Sequence, residues 1–334
     1  MRMAAVVRLV LPSCLLVPAL ILLGCTAASA PQVIAADGAL CDITRRLAAD
    51  ALRVGCLLAP SDDPHQLQLS PEQSRQIRAA QLVLINGYGL TPSLERLPEA
   101  VKVAELAVPD SPELDDRRAS PTSSQGAEAS DSHAQEASGE HAHRPGDRDP
   151  HVWHDPRQAS AVVAVVRARL QQLEPVAAPA IAARSRAMQA SLIALHGWNQ
   201  RQFATVPPPR TLATEHRAFA SLARAYQLRE LALLDADSAS ASLRPAAMTA
   251  VVQHLRQLRP GALFSEQQPP GRALVRIGDL SGVPIASRPL LADNGGDNLM
   301  VTLTANTCLI VEGLGGRCDR TAAAALVQQW NAIR

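Results

Sequence analysis

The sequence predicts an α/β protein of two lobes, each with a mainly parallel sheet flanked by helices, joined by one long rigid helix. Three observations predict it. Short apolar runs that read as strands covered on both faces alternate with amphipathic stretches in both halves. One unbroken helical pattern, from about 178 to 203, separates the halves and would span ~40 Å. The chain has 334 residues, 47% of them hydrophobic, enough for two domains and a real core.

Composition removes some functions. A formal net charge of +1 gives no reason to expect nucleic acid as a partner. Aromatic residues make up 2%, too few for base- or sugar-stacking platforms.

The N-terminus reads as a leader over residues 1–24. Arg2 and Arg8 flank the start of a nearly all-apolar run, Leu9 to Leu23, which is short for a membrane span. It ends in Leu22-Leu23-Gly24-Cys25, which resembles the bacterial lipoprotein lipobox. That resemblance implies cleavage before Cys25 and a lipid on its sulfur. Ala28-Ser29-Ala30 is the alternative cleavage site, for a freely secreted protein, although Pro31 after it would hinder cutting. Either route places the mature protein outside the cytoplasm.

Beyond Cys14 and Cys25, four cysteines remain: Cys41, Cys56, Cys308 and Cys318. An oxidising compartment permits disulfides. Proximity favours Cys41–Cys56 and Cys308–Cys318. A four-thiolate zinc site is the rival, weakened by the lack of any Cys-x-x-Cys pair.

The first lobe is expected over residues 31–175. After a short tether, Gly38 to Leu52 carries a helical stripe of Leu40, Ile43, Leu47 and Ala51. Arg53 to Leu58 reads as a strand and runs into a loop that ends at His65. Ser70-Pro71-Glu72-Gln73 reads as a helix start, with serine as cap and proline at the first position. Gln81 to Ile85 is a buried strand, Leu94 to Leu97 a helical turn, and Val101 to Val108 another strand. From 109 to 148 bulky apolar residues nearly vanish. This stretch reads as a disordered acidic loop, and its His133, His141 and His143 suit weak capture of a transition metal or simply a solvated spacer.

Asp149-Pro150-His151-Val152-Trp153-His154-Asp155-Pro156 follows. Its prolines make it short, stiff and non-helical, which suits a metal ligand. A helix covers Gln158 to Leu173. The connecting helix, within 176–205, has the stripe Ile181, Met188, Leu192, Leu195 and Trp198 and ends at Pro207-Pro208-Pro209. The second lobe, 206–334, repeats the alternation. Thr211 to Thr214 is a strand leading to Glu215-His216, and Ala218 to Tyr226 a helix. Glu230 to Leu234 is a strand, Arg244 to Arg259 a helix, Gly261 to Phe264 a strand reaching Ser265-Glu266. Gly271 to Leu280 is helical and Val283 to Ala286 a strand before the Asp293 loop. Helices from Asp297 and from Thr321 to Ile333 close the chain.

His65, His151, His216 and Asp293 therefore all fall in loops, His65 and His216 directly after expected strands. Open α/β sheets bind ligands at the carboxyl ends of their strands, so two facing lobes would bring two ligands from each side. Three imidazoles and a carboxylate suit Zn²⁺, with Mn²⁺ as the alternative.

The order of these pieces resembles the solute-binding proteins of bacterial zinc and manganese ABC transporters. The matching pieces are Asp63-Pro64-His65, Asn86-Gly87 with Gly89-Leu90, Asp149-Pro150-His151-Val152-Trp153, His216-x-x-Phe219 with Tyr226, Phe264-Ser265-Glu266-x-Gln268, and Asp293 with Asp297 to Asn306. The resemblance implies metal ligation by His65, His151, His216 and Asp293, two α/β lobes on a backbone helix, no catalysis, and an ABC permease as partner of a monomeric protein. Zinc-uptake members carry a His-rich acidic loop where 109–148 lies. His154 departs from the family, which has an apolar or small residue there, and is a candidate auxiliary ligand. The Cys308–Cys318 pair is another departure. A different class, an exported zinc hydrolase with Glu215 or Glu266 as base, lacks support from a His-Glu-x-x-His or a Gly-x-Ser-x-Gly motif.

Overall fold

The computed structural model describes residues 30–59, 62–114, 148–234 and 245–334. The leader with Cys14 and Cys25, and His133, His141 and His143, lie outside the described residues. Two parallel sheets organise the chain. The first holds β1 (Val33–Ala35), β2 (Val54–Cys56), β3 (Leu82–Ile85) and β4 (Val101–Lys102), in the order β2-β1-β3-β4. The second holds β5 (Thr211–Thr214), β6 (Arg229–Ala232) and β7 (Leu263–Phe264), in the order β6-β5-β7. In each sheet the chain steps first to one side of its opening strand and later to the other. That reversal opens a crevice at the strands' carboxyl ends.

The helices are α1 (Gly38–Ala48), α2 (Pro71–Ala79), α3 (Val103–Ala107), α4 (Pro156–Leu173), α5 (Ala178–Ala204), α6 (Ala220–Tyr226), α7 (Pro245–Leu258), α8 (Arg272–Ser281), α9 (Leu299–Gly313) and α10 (Arg320–Asn331). Their starts follow local chemistry. Ser70 and Gln73 form a reciprocal capping box ahead of α2, and Asp155 caps α4 before Pro156. The long helix α5 buries Ile181, Met188, Leu192, Leu195 and Trp198 in the first lobe's core and sends Phe203 into the second. It thus links the two cores mechanically.

Three expected elements needed correction. The stretch expected to be a tether contains β1, the strand between β2 and β3, with Val33, Ile34 and Ala35 fully buried. It is too short to show a period and its flanks are covered on both faces, so no alternation betrays it. The strand expected over Val101 to Val108 stops at Lys102 and turns into α3. Its spacing fits either period, and Ala104, Glu105, Leu106 and Ala107 are good helix formers, so propensity decides. The strand expected over Val283 to Ala286 is reduced to a single bridge between Leu263 and Ile285.

The C-terminal segment, expected within the second lobe at 206–334, packs largely on the first, with only the later part of α9 in the second core. Leu299, Met300, Leu303, Leu326 and Trp330 share one core with Val33, Leu40 and Ile43. Buried Asp42 on α1 holds this segment. It accepts hydrogen bonds from Leu299 N at 3.0 Å, Trp330 Nε1 at 2.7 Å and Arg46 Nε at 2.7 Å. Cys41 pairs with Cys56, joining α1 to β2, and Cys308 pairs with Cys318 across the α9–α10 turn. Replacing fully buried Trp330 by alanine should therefore lower unfolding free energy by ~3–5 kcal/mol in urea titration, and a loss below ~1 kcal/mol would contradict this docking.

Candidate metal centre

The strand ends supply most of the crevice. Asp37 lies just past β1, Asn86 just past β3, His216 past β5 and Glu266 past β7. His65 sits in the helical turn Pro64–Gln66 reached from β2, where Asp63 Oδ1 accepts from its backbone N–H at 2.8 Å.

The Asp-Pro-His segment reaches the crevice as a strap between lobes. Asp149 is fully buried. Its Oδ1 accepts from His151 N at 2.9 Å and from His151 Nδ1 at 3.1 Å. Its Oδ2 accepts from Ser221 N at 2.8 Å and Ser221 Oγ at 2.6 Å, on α6 of the second lobe. Asn86 Nδ2 donates to Pro150 O at 2.6 Å. The aspartate thus fixes the tautomer of His151, leaving Nε2 to face the crevice. His216 is fixed the same way from its own lobe: Glu266 Oε2 accepts from its Nδ1 and Oε1 from its backbone N–H at 3.2 Å.

Four donor atoms, one each from His65, His151, His216 and Asp293, lie within 4.8 Å of one another. Asp293 Oδ1 is 3.6 Å from His65 Nε2, 3.1 Å from His151 Nε2 and 2.8 Å from His216 Nε2. The imidazole centroids form a near-regular triangle of 5.7, 5.8 and 6.1 Å. His65 Nε2 and His216 Nε2 are buried and make no well-directed hydrogen bond among the described residues, although each lies close to Asp293 Oδ1. Nitrogens left so, converging on a carboxylate oxygen, fit a cation better than a hydrogen-bond network. A zinc tetrahedron has edges of ~3.4 Å, close to the Asp293 contacts.

The electrostatics agree. Burial pushes His151 down, but Asp149 and Asp293 on its two ring nitrogens outweigh it and raise it to about 9. His216 is likewise depressed by burial but raised well above its ordinary value by Glu266 and Asp293. Burial would raise Asp293, yet the His216 charge and bonds from the imidazoles hold it well below the usual carboxylate range. The same carboxylates that raise these two imidazoles would favour a cation between them.

The remaining predicted residues fall elsewhere. His154 is fully buried but outside the cluster. Its Nε2 lies 2.9 Å from Ala292 O, and burial lowers it to about 4. Both candidate bases have structural partners. Glu266 holds His216, and Glu215 Oε2 accepts from Glu266 N at 2.7 Å and Ser265 Oγ at 3.2 Å. Sequence reasoning missed Ser221 and Asn294. Ser221 follows His216-x-x-Phe219 by two residues, which was the available signal. Nothing local marks Asn294, since its partners Gly38, Ala39, Ala59 and Asp62 are far away in sequence.

Two parallel-sheet lobes enclosing a His₃Asp cluster define the class as a two-lobe ion-binding protein. Residues 33–313 match the zinc-uptake complex component A periplasmic family, ZnuA, and the chain belongs to that family of metal-binding ABC transporter substrate-binding proteins. It is 24% identical over 328 residues to the metal-binding protein YtgA of Chlamydia pneumoniae, covering 89% of this chain and 92% of that one. It is 23% identical over 289 residues to the manganese-binding lipoprotein MntA of Halalkalibacterium halodurans, covering 85% and 88%. The periplasmic zinc-binding protein TroA from Treponema pallidum shares the fold, with a TM-score of 0.69 at 24% identity over 86% of this chain and 99% of that one. Family members are solute-binding proteins rather than enzymes and work with ABC permeases. Among the described residues no helix is long and apolar enough to cross a membrane.

The raised His151 predicts a pH dependence. The folded state holds a proton that the unfolded state releases near 6.5, so this contribution is complete below pH 6.5 and lost as pH rises through about 9. Thermal unfolding of metal-free protein should therefore show a falling midpoint between pH 7 and 9.5, a fall reduced in a His151→Phe variant, where His216 alone still titrates above its ordinary value.

Proposed function

We propose that this protein captures Zn²⁺ outside the cytoplasm between its two lobes and delivers it to an ABC permease for import. The observation that carries the reading is the donor set: three imidazole nitrogens and one carboxylate oxygen within 4.8 Å. Nitrogen-rich, four-donor sites suit Zn²⁺, whereas Mn²⁺ favours oxygen. Four protein donors also leave no open position of the kind a catalytic zinc needs, which argues for holding cargo over hydrolysing a substrate. A lipid on Cys25 would keep the protein beside its permease. The manganese-binding name of one relative supports the alternative cargo.

Carboxylates behind the histidines tune the site. Glu266 orients His216 and raises its basicity. Glu266→Ala should weaken zinc binding by ~10–100-fold in competition with a chelator, while a Ser281→Ala change far from the cluster should leave it alone. Cargo identity is tested by offering metal-free protein Zn²⁺ and Mn²⁺ together and counting bound ions by native mass spectrometry. One Zn²⁺ that excess Mn²⁺ does not displace supports the proposal. Preferential retention of Mn²⁺ would move the protein to the manganese-binding members of the family.

A further inference from the structure

His154 has no part in the donor cluster, yet it is fully buried beside it. A carbonyl only accepts, so the 2.9 Å contact with Ala292 O means that His154 Nε2 carries a proton and donates it. Ala292 directly precedes Asp293. The imidazole is itself immobilised. Its backbone N–H donates to His151 O at 3.2 Å, and its ring lies 4.5 Å from Phe219 and 5.5 Å from Trp153. One side chain therefore touches all three of the segments that carry His151, His216 and Asp293.

The path of the chain gives this contact its meaning. Leu290 N donates to Ser265 O at 2.8 Å, and both backbone groups of Leu291 bond Asn306. Up to there the loop belongs to the second sheet and α9. At Ala292 it is taken over by His154. After Asp293, Asn294 is bound to the first lobe: its backbone O accepts from Ala39 N at 2.9 Å, and its side chain bonds Gly38 N, Ala59 O and Asp62 O. Asp293 is thus bracketed by His154 on one side and Asn294 on the other.

We infer that His154 is a positioning residue that latches the Asp293 loop to the Asp149–His154 strap and so holds the Asp293 carboxylate against the three imidazoles. The inference rests on the reading of His65, His151, His216 and Asp293 as the cargo site. It makes Asp293 a partner preassembled with His65 and His151, although its chain position belongs to the second half of the sequence.

His154→Phe keeps a ring against Phe219 and removes only the donor. His154→Gln restores an N–H near the position of Nε2, and His154→Asn is too short to reach it. Two readouts are compared: amide hydrogen exchange over 290–296 in metal-free protein, and zinc release from loaded protein into excess chelator. Leaving Ala292 O unpaired should speed both by ~10-fold in His154→Phe, with His154→Asn following it and His154→Gln returning towards wild type. A merely structural role would move global unfolding without this pairing of loop exchange and release, or its rescue by Gln. Wild-type exchange and release in both His154→Phe and His154→Asn would overturn the latch. A faulty reading of the site looks different: Asp293→Ala would then release zinc at the wild-type rate, which would also end the positioning role even if loop exchange still responded to His154.

Discussion

One carboxylate oxygen, Asp293 Oδ1, stands within 3.6 Å of a nitrogen on each of three imidazoles. Those imidazoles arrive from a loop after β2, from the inter-lobe strap and from a loop after β5. Packing them together without a cation or protons would leave imidazole lone pairs pointed at a half-buried negative charge, which is costly. The rest of the cleft reads as a set of devices that hold this unfavourable arrangement in place. Asp149 and Glu266 fix two of the imidazoles from behind, and each is itself tied down, one by Ser221 and the other by His216 backbone.

Asp149 also explains why the strap matters beyond the histidine it carries. Its two oxygens bond opposite lobes, His151 on one side and Ser221 on the other. A charge-assisted bond of this kind, fully removed from water, is among the stronger polar contacts available to a protein. Burial opposes its ionisation, but His151 and Ser221 hold it below the ordinary carboxylate range. The ligand strap and the lobe interface are therefore one structure, and disturbance of either should reach the other. The backbone helix α5 and the docked α9 and α10 supply the rigid frame behind it.

Much of this was legible in the sequence because it is local. The Pro-framed His151 segment, the Ser70 cap, the stripe from Ile181 to Trp198 and the near-neighbour cysteines are encoded within a few residues of one another. The His65, His151, His216 and Asp293 set was legible because each follows a readable strand or motif, and strand ends in α/β sheets face the ligand. What stayed hidden was non-local or too short. β1 is a three-residue strand defined by its two neighbours. The docking of Trp330 on Asp42, and the grip of Asn294 on the loop before His65, join residues more than two hundred positions apart. The polarity of His154 was visible, but its partner, a backbone carbonyl at Ala292, has no sequence signature.

The proposed cargo site requires that these four side chains hold one ion together. X-ray absorption at the zinc edge of the loaded protein tests it most directly. Such a site should show only nitrogen and oxygen neighbours at ~2.0–2.1 Å, with outer-shell scattering from three imidazoles. A sulfur neighbour at ~2.3 Å, or scattering that fits a single imidazole, would contradict it.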